Sequence, residues 1–534
     1  MNIMTDFLVI GSGIAGLSFA LRAAQIGQVL VITKKSDCDS ATNLAQGGLA
    51  AVMAADDSFD LHIQDTLNAG AGLCDPKVVE FVVTEGPARL KELIQIGARF
   101  QRGKDGASEF DLGREGGHSR RRIVHAHDLT GKEIERALLE SCRNNPHIEL
   151  RENHDCIDLL LENGRCVGAT VLAADEILSV YAKITVLCTG GAGKVYQYTC
   201  NPDIATGDGI AMAFRAGAKI SNMEFFQFHP TCLYHRDAKS FLISEALRGE
   251  GAILLNKAGE RFMRKYAPEM MELATRDTVA RAIDREMKIS GSESVYLDIS
   301  HKGKDFLEKR FPTIYAFCKQ AGYDISQGPF PVVPAAHYLC GGVLTDECGR
   351  TSVDGLYALG ECACTGLHGG NRLASNSLLE AIVFAERAFI GCKRELPAIK
   401  IAGIESGRQQ RGKKIEEKVV INHNWELIRK IMWNYVGIVR SDRRLILAGR
   451  RIQEIHEEIS SFCREYHPST DLLELRNIGI VSLLIIKAAQ MRKESRGLHY
   501  TVDYPEKSDS QRFWNIFQRN GRDDEICLIG RKYI

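Results

Sequence analysis

Apolar runs near the start of the chain predict a strand, a helix and a second strand. Residues 7–10 are apolar, as in a buried strand, residues 17–26 have the spacing of a helix, and residues 29–33 predict the next strand. The segment Gly11-Ser-Gly-Ile-Ala-Gly16 separates the first strand from the helix. Glycines at this spacing, between a strand and a helix, are typical of a dinucleotide-binding turn.

Residues 222–338 differ in pattern from the chain on either side. Aromatic residues, His and Arg become frequent there, and four prolines between positions 312 and 334 indicate irregular backbone. Before this segment, residues 184–188 are an apolar run that ends in Thr-Gly-Gly. After it, residues 355–360 predict a strand that runs into a turn, and residues 377–390 predict a helix. We therefore expect an inserted domain, after which the chain returns to the first domain.

The C-terminal part of the chain has a helical pattern. Residues 403–414 are rich in Gly and charge and are a candidate linker. Residues 419–462 and 472–494 carry helical spacing with few Gly or Pro, which predicts an all-helical domain. The last twenty-five or so residues have no clear periodicity.

These patterns divide the chain into three predicted domains. With 534 residues, the chain is too long for a single hydrophobic core. Residues 1–222 and 339–402 are assigned to a discontinuous dinucleotide-binding domain, residues 223–338 to an inserted capping domain that carries substrate residues, and residues 408–534 to a C-terminal helical domain.

Composition and charge exclude several classes of protein. Lys and Arg (68) balance Asp and Glu (68), so the charge does not suggest a nucleic-acid partner. No apolar run approaches about 18 residues, and we expect no membrane span; the first strand begins so early that we expect no signal peptide. The sixteen cysteines are scattered without metal-ligand spacing, which favours buried thiols in a reducing cytoplasm and no bound metal.

The glycine-rich turn predicts how the pyrophosphate of a dinucleotide is held. Gly11 permits the tight turn, Gly13 lets the backbone approach the phosphates, and Gly16 lets helix and strand pack closely. The N–H groups at the helix start, around Ser12, Ile14 and Ala15, offer positive partial charge to the phosphates.

The identity of the dinucleotide depends on two further positions. Lys34 stands where an acidic residue usually holds the ribose hydroxyls, and a lysine could suit the 2′-phosphate of NADP. FAD is favoured, because it is long and needs a distant second segment, for which Glu361 after the 355–360 strand is the candidate. Ser375, Asn376, Ser377 and Leu378 then open a helix whose N-terminus would stabilise the reduced ring. The predicted fold is α/β: a Rossmann-type FAD-binding domain with an inserted α+β capping domain and a C-terminal helical domain.

Several His, Arg and hydroxyl residues in and around the inserted domain are candidates for catalysis. Arginine binds carboxylates through two parallel hydrogen bonds, so several cations without matching acids suggest an anionic substrate. The candidates are His229, Ser244, Glu245, Arg248, Arg276, His337 and Arg372.

Several motifs of the sequence resemble those of a known protein family. The chain resembles the succinate dehydrogenase/fumarate reductase flavoprotein family over essentially its first 500 residues. The carrying motifs are Ala45-Gln46-Gly47-Gly48, Asn201-Pro-Asp-Ile-Ala-Thr-Gly-Asp208-Gly, Gln227-Phe-His229-Pro-Thr, Glu245-Ala-Leu-Arg-Gly-Glu-Gly251, Thr275-Arg276-Asp277, Pro334-Ala-Ala-His337-Tyr338, His368-Gly-Gly-Asn-Arg372 and Ser375-Asn-Ser-Leu-Leu379. Met491-Arg-Lys-Glu-Ser-Arg-Gly-Leu-His499 is similar to the helical domain of this family.

The resemblance implies a non-covalent FAD. Covalently flavinylated members have a His where this chain has Ala41. The implied cofactor contacts extend to Thr42 and Asn43 beside the Ala-Gln-Gly-Gly motif, and to Asp208.

The resemblance also implies the substrate and its contacts. Glu115, in Gly113-Arg-Glu115-Gly-Gly-His118, resembles the members that oxidise L-aspartate, because a carboxylate can pair with the α-ammonium that succinate lacks. His229, Ser244, His337 and Arg372 would hold the two substrate carboxylates, with Gln227 and Tyr338 as further binding residues. Arg276 would act as an acid or a fixed positive charge, since arginine is a poor base.

The implied reaction converts L-aspartate to iminoaspartate. Reoxidation of the flavin would use O2, giving H2O2, or fumarate, giving succinate. Iminoaspartate would pass to quinolinate synthase, as the first step of NAD biosynthesis through quinolinate.

Two alternatives stay open on sequence. A succinate dehydrogenase or fumarate reductase flavoprotein subunit would share fold and cofactor but need an iron–sulfur partner, and Ala41 and Glu115 argue against it. A non-catalytic flavin scaffold or a tRNA-modifying flavoprotein is disfavoured by the set Arg276, His337 and Arg372 and by the neutral charge.

Overall fold

The computed structural model describes residues 2–103, 109–126, 129–235, 241–400, 412–415, 417–521 and 524–534. The candidate linker at 403–414 and the domain boundary at 408 fall largely or wholly outside these residues. The three domain boundaries therefore stay predictions.

The described strands are β1 (Asn2–Ile10), β2 (Val29–Ile32), β3 (Leu49–Ala50), β4 (Leu112–Gly113), β5 (Ile123–Val124), β6 (Ile148–Arg151), β7 (His154–Glu162), β8 (Arg165–Ala173), β9 (Glu176–Leu187), β10 (Ile220–Ser221), β11 (Phe226–Leu233), β12 (Ile253–Leu255), β13 (Val295–Asp298), β14 (Phe330–Leu339), β15 (Gly342–Leu344), β16 (Leu356–Ala358), β17 (Ala363–Cys364), β18 (Phe513–Asn520) and β19 (Glu525–Tyr533).

The described α-helices are α1 (Ile14–Ala23), α2 (Phe59–Ala69), α3 (Pro76–Ile96), α4 (Thr130–Arg143), α5 (Asp208–Arg215), α6 (Glu245–Gly249), α7 (Met263–Tyr266), α8 (Arg276–Ser290), α9 (Lys304–Arg310), α10 (Pro312–Gln320), α11 (Asn376–Glu395), α12 (Val419–Val436), α13 (Asp442–Glu465) and α14 (Thr470–Met491). None of the described helices is both long and apolar enough to cross a membrane.

The largest sheet carries the predicted strand–helix–strand unit at its centre. Its order is β6-β2-β1-β9-β8-β7, with β16 alongside β9, and β6, β2, β1, β9 and β16 run parallel. Side chains of β1 alternate between two cores: Phe7 and Val9 pack into one, and Leu8 and Ile10 into the other. A central parallel strand is covered on both faces, which explains its continuous apolar run.

A second, four-stranded sheet is built from the predicted inserted segment. Its order is β11-β14-β13-β12, and it has its own hydrophobic core. Two of the prolines expected to mark irregular backbone, Pro331 and Pro334, lie within β14 instead. Pro334 is tolerated because the pairing register of β11 shifts between His229 and Cys232, opposite that point.

The C-terminal region is helical in both segments predicted to be so, the first of which forms two helices, and it ends in an unexpected hairpin. Helices α12, α13 and α14 pack against one another, but β18 and β19 form an antiparallel pair. Strand β18 also pairs with β10, where Ile220 lies opposite Phe517, so the tail extends a sheet of the first part of the chain. The expectation of an all-helical region was wrong for this tail. Its partner strand lies some 300 residues away, so local periodicity gave no sign of the pairing.

A buried charge cluster joins the C-terminal region to the start of the inserted segment. Arg492 Nε lies 2.6 Å from Oε1 of Glu224, and Nη1 lies 3.0 Å from Oε1 of Glu494, with all three side chains fully buried. Arg492 also donates to the backbone carbonyls of Gln511 and Phe513. Four of the five guanidinium N–H groups therefore have an acceptor, which compensates part of the cost of burying the charge.

Arg492→Met should destabilise the protein by about 3–5 kcal/mol, because the buried Glu224 would lose its counter-charge and Glu494 would keep only Arg496. Urea unfolding, followed by circular dichroism, measures the change. The matched control is Lys493→Met, which removes only a partly exposed contact with Asp442 and should cost less than about 1 kcal/mol. Equal losses in the two variants would contradict the structural role of the cluster.

Candidate active site

A single long cavity of about 1220 Å³ runs from the β1–α1 turn to the inserted region. It exceeds the roughly 300–1,000 Å³ of an ordinary small-molecule pocket. Such a volume suits a dinucleotide together with a small substrate. The cavity opens at the carboxyl ends of β1 and β9, the edge at which parallel α/β sheets bind their ligands.

The glycine-rich turn has the backbone geometry that a pyrophosphate site needs. Gly11 has φ +114°, and a Cβ at this position would overlap the carbonyl oxygen of Cys188. A Cβ at Gly16 would overlap the carbonyl oxygen of Gly11. Helix α1 begins without a side-chain cap, and Thr42 Oγ1 accepts a hydrogen bond of 3.1 Å from the N–H of Ile14. The start of the helix therefore faces the cavity with small residues around it, which fits a phosphate group.

Most of the predicted cofactor residues line this cavity. They are Gly11, Ser12, Gly13, Ile14, Ala15, Lys34, Ala41, Thr42, Ala45, Gln46, Gly47, Gly48, Asp208, Glu361, Ser375, Ser377 and Leu378.

Three of the predicted cofactor residues do not line it. Gly16 packs α1 against the turn, and Asn43 donates to the carbonyl of Cys38. The Asn376 side chain is fully buried and bonds to His62 and Thr66. Since both ends of its amide are engaged inside the protein, only the backbone of Asn376 can face a ligand.

Lys34 is held by the protein itself. Its ammonium lies 2.8 Å from Asp208, 2.7 Å from Glu474 and 2.7 Å from Thr206 Oγ1. Although burial lowers the pKa of Lys34, the two carboxylates raise it overall, so it stays charged. An ammonium has three donors and all three are used, so Lys34 has none left for the 2′-phosphate of NADP.

Glu361 lies in the cavity beside Gly191, where a Cβ would collide with its carboxylate. The N–H of Leu339 donates to Oε1 of Glu361 at 3.0 Å. Burial raises the pKa of Glu361 to about 7. A carboxylate that is hard to ionise in this setting gains from hydroxyl donors, which is what a sugar or a ribityl chain would supply.

Arg372 is a cation of the cavity that neighbouring side chains hold in a fixed position. Its Nε and Nη2 donate to Oε1 of Gln227 at 3.3 and 2.8 Å, and its Nη1 donates to Ser377 Oγ at 3.1 Å. Its guanidinium carbon lies 4.6 Å from the ring centre of Tyr338. Five N–H donors minus three used leave two for a ligand.

Gln227 and Tyr338, predicted to bind substrate, both contact Arg372, and Tyr338 also lines the cavity. Gln227 does not line the cavity, and its amide bonds to Arg372 and Asn371. The hydroxyl of Tyr338 bonds to the buried side chains of His368 and Glu380. Both side chains therefore position Arg372 and have no free polar group for a substrate.

Two histidines face each other across the substrate end of the cavity. The ring centres of His229 and His337 are 5.8 Å apart. Burial lowers the pKa of both, and the nearby Arg276 adds to the effect, so each ring is neutral at pH 7. Neutral imidazoles bind a carboxylate by hydrogen bonding and leave the charge to the arginines.

Cys200 is a cavity residue that sequence reasoning missed. Its Sγ lies 3.0 Å from Nδ1 of His337. It stands immediately before the Asn201 motif and gives no spacing signal, since a single cysteine after Thr199 predicts nothing by itself.

Arg276 begins α8 and is paired with Glu245 at the start of α6. Its Nε lies 2.8 Å from Oε2 of Glu245, and Arg248 Nη2 lies 3.8 Å from the same oxygen. Although burial lowers the pKa of Arg276, the charges of Glu245 and Glu115 raise it overall. Arg276 therefore acts as a fixed positive charge at this end of the cavity. Ser244 lines the cavity too, while its hydroxyl caps α6 at Ala246.

Glu115 lies opposite this cationic group, beside Gly47. Oε2 of Glu115 accepts a hydrogen bond of 2.6 Å from Ser375 Oγ, and a Cβ at Gly47 would crowd Oε1. The loop that carries Glu115 is anchored by Arg122, which bonds to the carboxylates of Asp57 and Asp65. The Glu115 carboxylate and the two arginines thus line the same cavity.

Glu361→Gln should remove a pH-dependent loss of stability. A carboxyl whose pKa rises from 4.5 to about 7 on folding binds its proton more tightly in the native state. The free energy of unfolding therefore falls as pH rises through this interval, by up to about 3 kcal/mol, and a neutral Gln cannot contribute to that fall. Urea unfolding of the flavin-free protein across this pH range measures it.

Glu347→Gln is the control for this experiment, since Glu347 is exposed and does not line the cavity. Its pH profile should match that of the parent protein. A Glu361→Gln profile that also matches the parent would contradict the buried, protonated state of Glu361.

Comparison with known proteins places the chain in a family. Residues 6–378 match the family described as "FAD binding domain", and residues 426–526 match "Fumarate reductase flavoprotein C-term". The chain is 51% identical to L-aspartate oxidase 1 of Ralstonia nicotianae, over 94% of this chain and 96% of that protein. It is 48% identical to the L-aspartate oxidase of Vibrio cholerae, again over 94% and 96% of the two chains.

Solved structures give the same result for the fold. A quinol fumarate reductase flavoprotein of E. coli superposes with a TM-score of 0.89 at 30% identity, covering 100% of this chain and 97% of that one. The Sdh1 structure of Mycobacterium smegmatis gives a TM-score of 0.87 at 31% identity, covering 100% and 94%. FAD is thus the dinucleotide that the cavity holds. The chain belongs to the L-aspartate oxidase family of FAD-dependent oxidoreductases, within the flavoproteins related to fumarate reductase and succinate dehydrogenase.

Proposed function

We propose that this protein oxidises L-aspartate to iminoaspartate, and that its reduced flavin is reoxidised by fumarate, giving succinate, or by O2, giving H2O2. One observation carries the proposal: Glu115 and Arg372 line the same end of one cavity as His229 and His337. A site that combines carboxylate-binding residues with the carboxylate of Glu115 suits a substrate that carries two carboxylates and an ammonium group.

The carboxylates of the substrate are assigned to the cationic side of the cavity. Arg372 offers two unused N–H donors in a fixed orientation, because Gln227 and Ser377 hold the other three. His229 and His337 add neutral donors, and Ser244 adds a hydroxyl at the start of α6. Arg276 supplies positive charge without exchanging its proton.

The α-ammonium of the substrate is assigned to Glu115. Ser375 fixes one oxygen of this carboxylate, and the other lies beside Gly47, where the missing Cβ makes room for it. Succinate and fumarate have no group for this site, so Glu115 separates aspartate from the plain dicarboxylates.

When bound, FAD supplies the redox chemistry by accepting two electrons from the substrate as its Cα–H bond breaks. The residues of the chain hold the substrate so that this bond faces the ring, and they exclude water from the buried end of the cavity. Ala41 has only a methyl side chain at the place of the covalent linkage in related proteins, which supports a non-covalent cofactor. We propose quinolinate synthase as the consumer of the product, in NAD biosynthesis.

Anaerobic bleaching of the flavin tests the function directly. Rapid bleaching by L-aspartate, reversed by fumarate or by air, is the expected result, and the flavin absorbance measures it. Succinate is the control substrate and should bleach the flavin slowly or not at all. Bleaching by succinate alone would instead favour a dicarboxylate dehydrogenase subunit. This is the alternative suggested by the structural similarity to quinol fumarate reductase.

Glu115→Gln should lower kcat/KM for L-aspartate about 10- to 100-fold and leave fumarate reduction nearly unchanged, since a charge-assisted hydrogen bond is worth about 1.5–3 kcal/mol. Steady-state kinetics with each substrate measures the effect. Arg372→Leu is the matched comparison, because loss of the shared carboxylate site should raise KM strongly for both substrates. Equal losses for both substrates in Glu115→Gln would remove its assignment to the ammonium.

A further inference from the structure

Two cysteines, Cys200 and Cys232, lie beside His337 at the substrate end of the cavity, and neither thiol has a role in the function proposed above. We define these three residues as the thiol cluster. Cys200 follows Thr199 in the loop before α5, and Cys232 lies on β11, three residues after His229.

The geometry brings the three side chains together. Sγ of Cys200 lies 3.0 Å from Nδ1 of His337, and the Cys200 and Cys232 thiols are close enough to interact. Cys200 lines the cavity and is half-buried, whereas Cys232 is fully buried behind it. A small molecule in the cavity can therefore reach Cys200 directly, and Cys232 only through Cys200.

The electrostatic setting makes Cys200 differ from the other cysteines of the described residues. Burial raises the pKa of thiols such as Cys142, Cys188 and Cys364. The neighbouring Cys232 thiol, together with His337, holds the pKa of Cys200 below its usual range despite burial. The thiolate is the reactive form of cysteine, so oxidation should select this residue.

We propose that Cys200 and Cys232 are a peroxide-sensitive thiol pair, in which hydrogen peroxide in the cavity oxidises Cys200 and Cys232 then closes a disulfide with it. This inference extends the proposed function, because reoxidation of the flavin by O2 would generate the peroxide beside the pair.

The two steps balance as follows. Sulfur of Cys200 attacks one oxygen of H2O2, the O–O bond breaks, a sulfenic acid forms, and the displaced hydroxide leaves as water with the thiol proton. Sulfur of Cys232 then attacks sulfur of Cys200, the S–O bond breaks, and a second water leaves with the proton of Cys232. The two sulfurs lose two electrons in total, and the peroxide gains them.

Closure of the pair should switch off substrate binding. The disulfide removes the hydrogen-bond partner of His337 Nδ1 and moves the Cys200 sulfur toward β11. His337 is one of the residues assigned to the substrate carboxylates, so its displacement lowers affinity. A dithiol would reverse the change, since exchange restores both thiols.

The test treats the FAD-loaded enzyme anaerobically with added H2O2 and assays it with fumarate as acceptor, so that turnover makes no peroxide. The expected result is loss of activity, loss of two hydrogens in intact mass, a linked peptide containing Cys200 and Cys232, and recovery with dithiothreitol. Cys232→Ser should stop at the first step, with dimedone captured on Cys200. Cys527→Ser, a half-buried thiol on β19, is the control and should be inactivated at the parent rate.

Mass spectrometry keeps the test independent of activity, because Cys200→Ser alters a contact of His337. Cys200→Ser should show no loss of two hydrogens even at peroxide doses about tenfold above those that convert the parent protein, because the reactive thiolate is gone. Failure of dimedone to label Cys200 in Cys232→Ser would overturn the proposal. A pair that closes with added peroxide but stays open during aerobic turnover on L-aspartate would support the proposal and count against O2 as acceptor in the proposed function.

Discussion

The close contact between the first turn and the end of β9 is the constraint on which the rest of the structure depends. Gly11 lies against the carbonyl of Cys188, where no side chain could fit. This contact holds the start of α1 at the edge where β1, β9 and β16 end together. Gly191 leaves room at the same edge for Glu361, which arrives from a segment about 170 residues later. The absence of a side chain at Gly11 and Gly191 thus fixes the positions of both segments that would contact the cofactor.

Buried positive charge is the second constraint, and it determines what the cavity can bind. Arg372 and Arg276 are taken out of water, which costs free energy unless partners are supplied. The chain supplies Gln227 to one and Glu245 to the other, but these partners leave donors and net charge unused. In the proposed function, a substrate with two carboxylates completes the arrangement, and Glu115 is assigned to its ammonium. Specificity for the substrate therefore depends on hydrogen-bond donors and positive charge that the protein's own residues leave unpaired.

The parts of the fold that depend on short-range order could be predicted from the sequence, and those that depend on distant pairing could not. The strand–turn–helix unit at the N-terminus and helices α12 to α14 follow from local spacing of apolar residues. The β18–β19 hairpin was missed because β18 is stabilised by β10, far away along the chain. Pro334 was misjudged for the same reason, since the irregular pairing that tolerates it belongs to β11.

The sequence by itself determined the family, the dinucleotide and the residue types of the site, because glycine spacing and charged motifs are local properties. Tertiary structure alone decided which candidates reach the ligand. Lys34 is neutralised by Asp208 and Glu474, Asn376 is turned inward, Gln227 stands behind Arg372, and the Tyr338 hydroxyl is taken by His368 and Glu380. The meeting of Cys200 with His337 was likewise invisible in the sequence. Each of these outcomes depends on hydrogen-bond partners contributed by other elements, and only the packed chain brings those partners within reach.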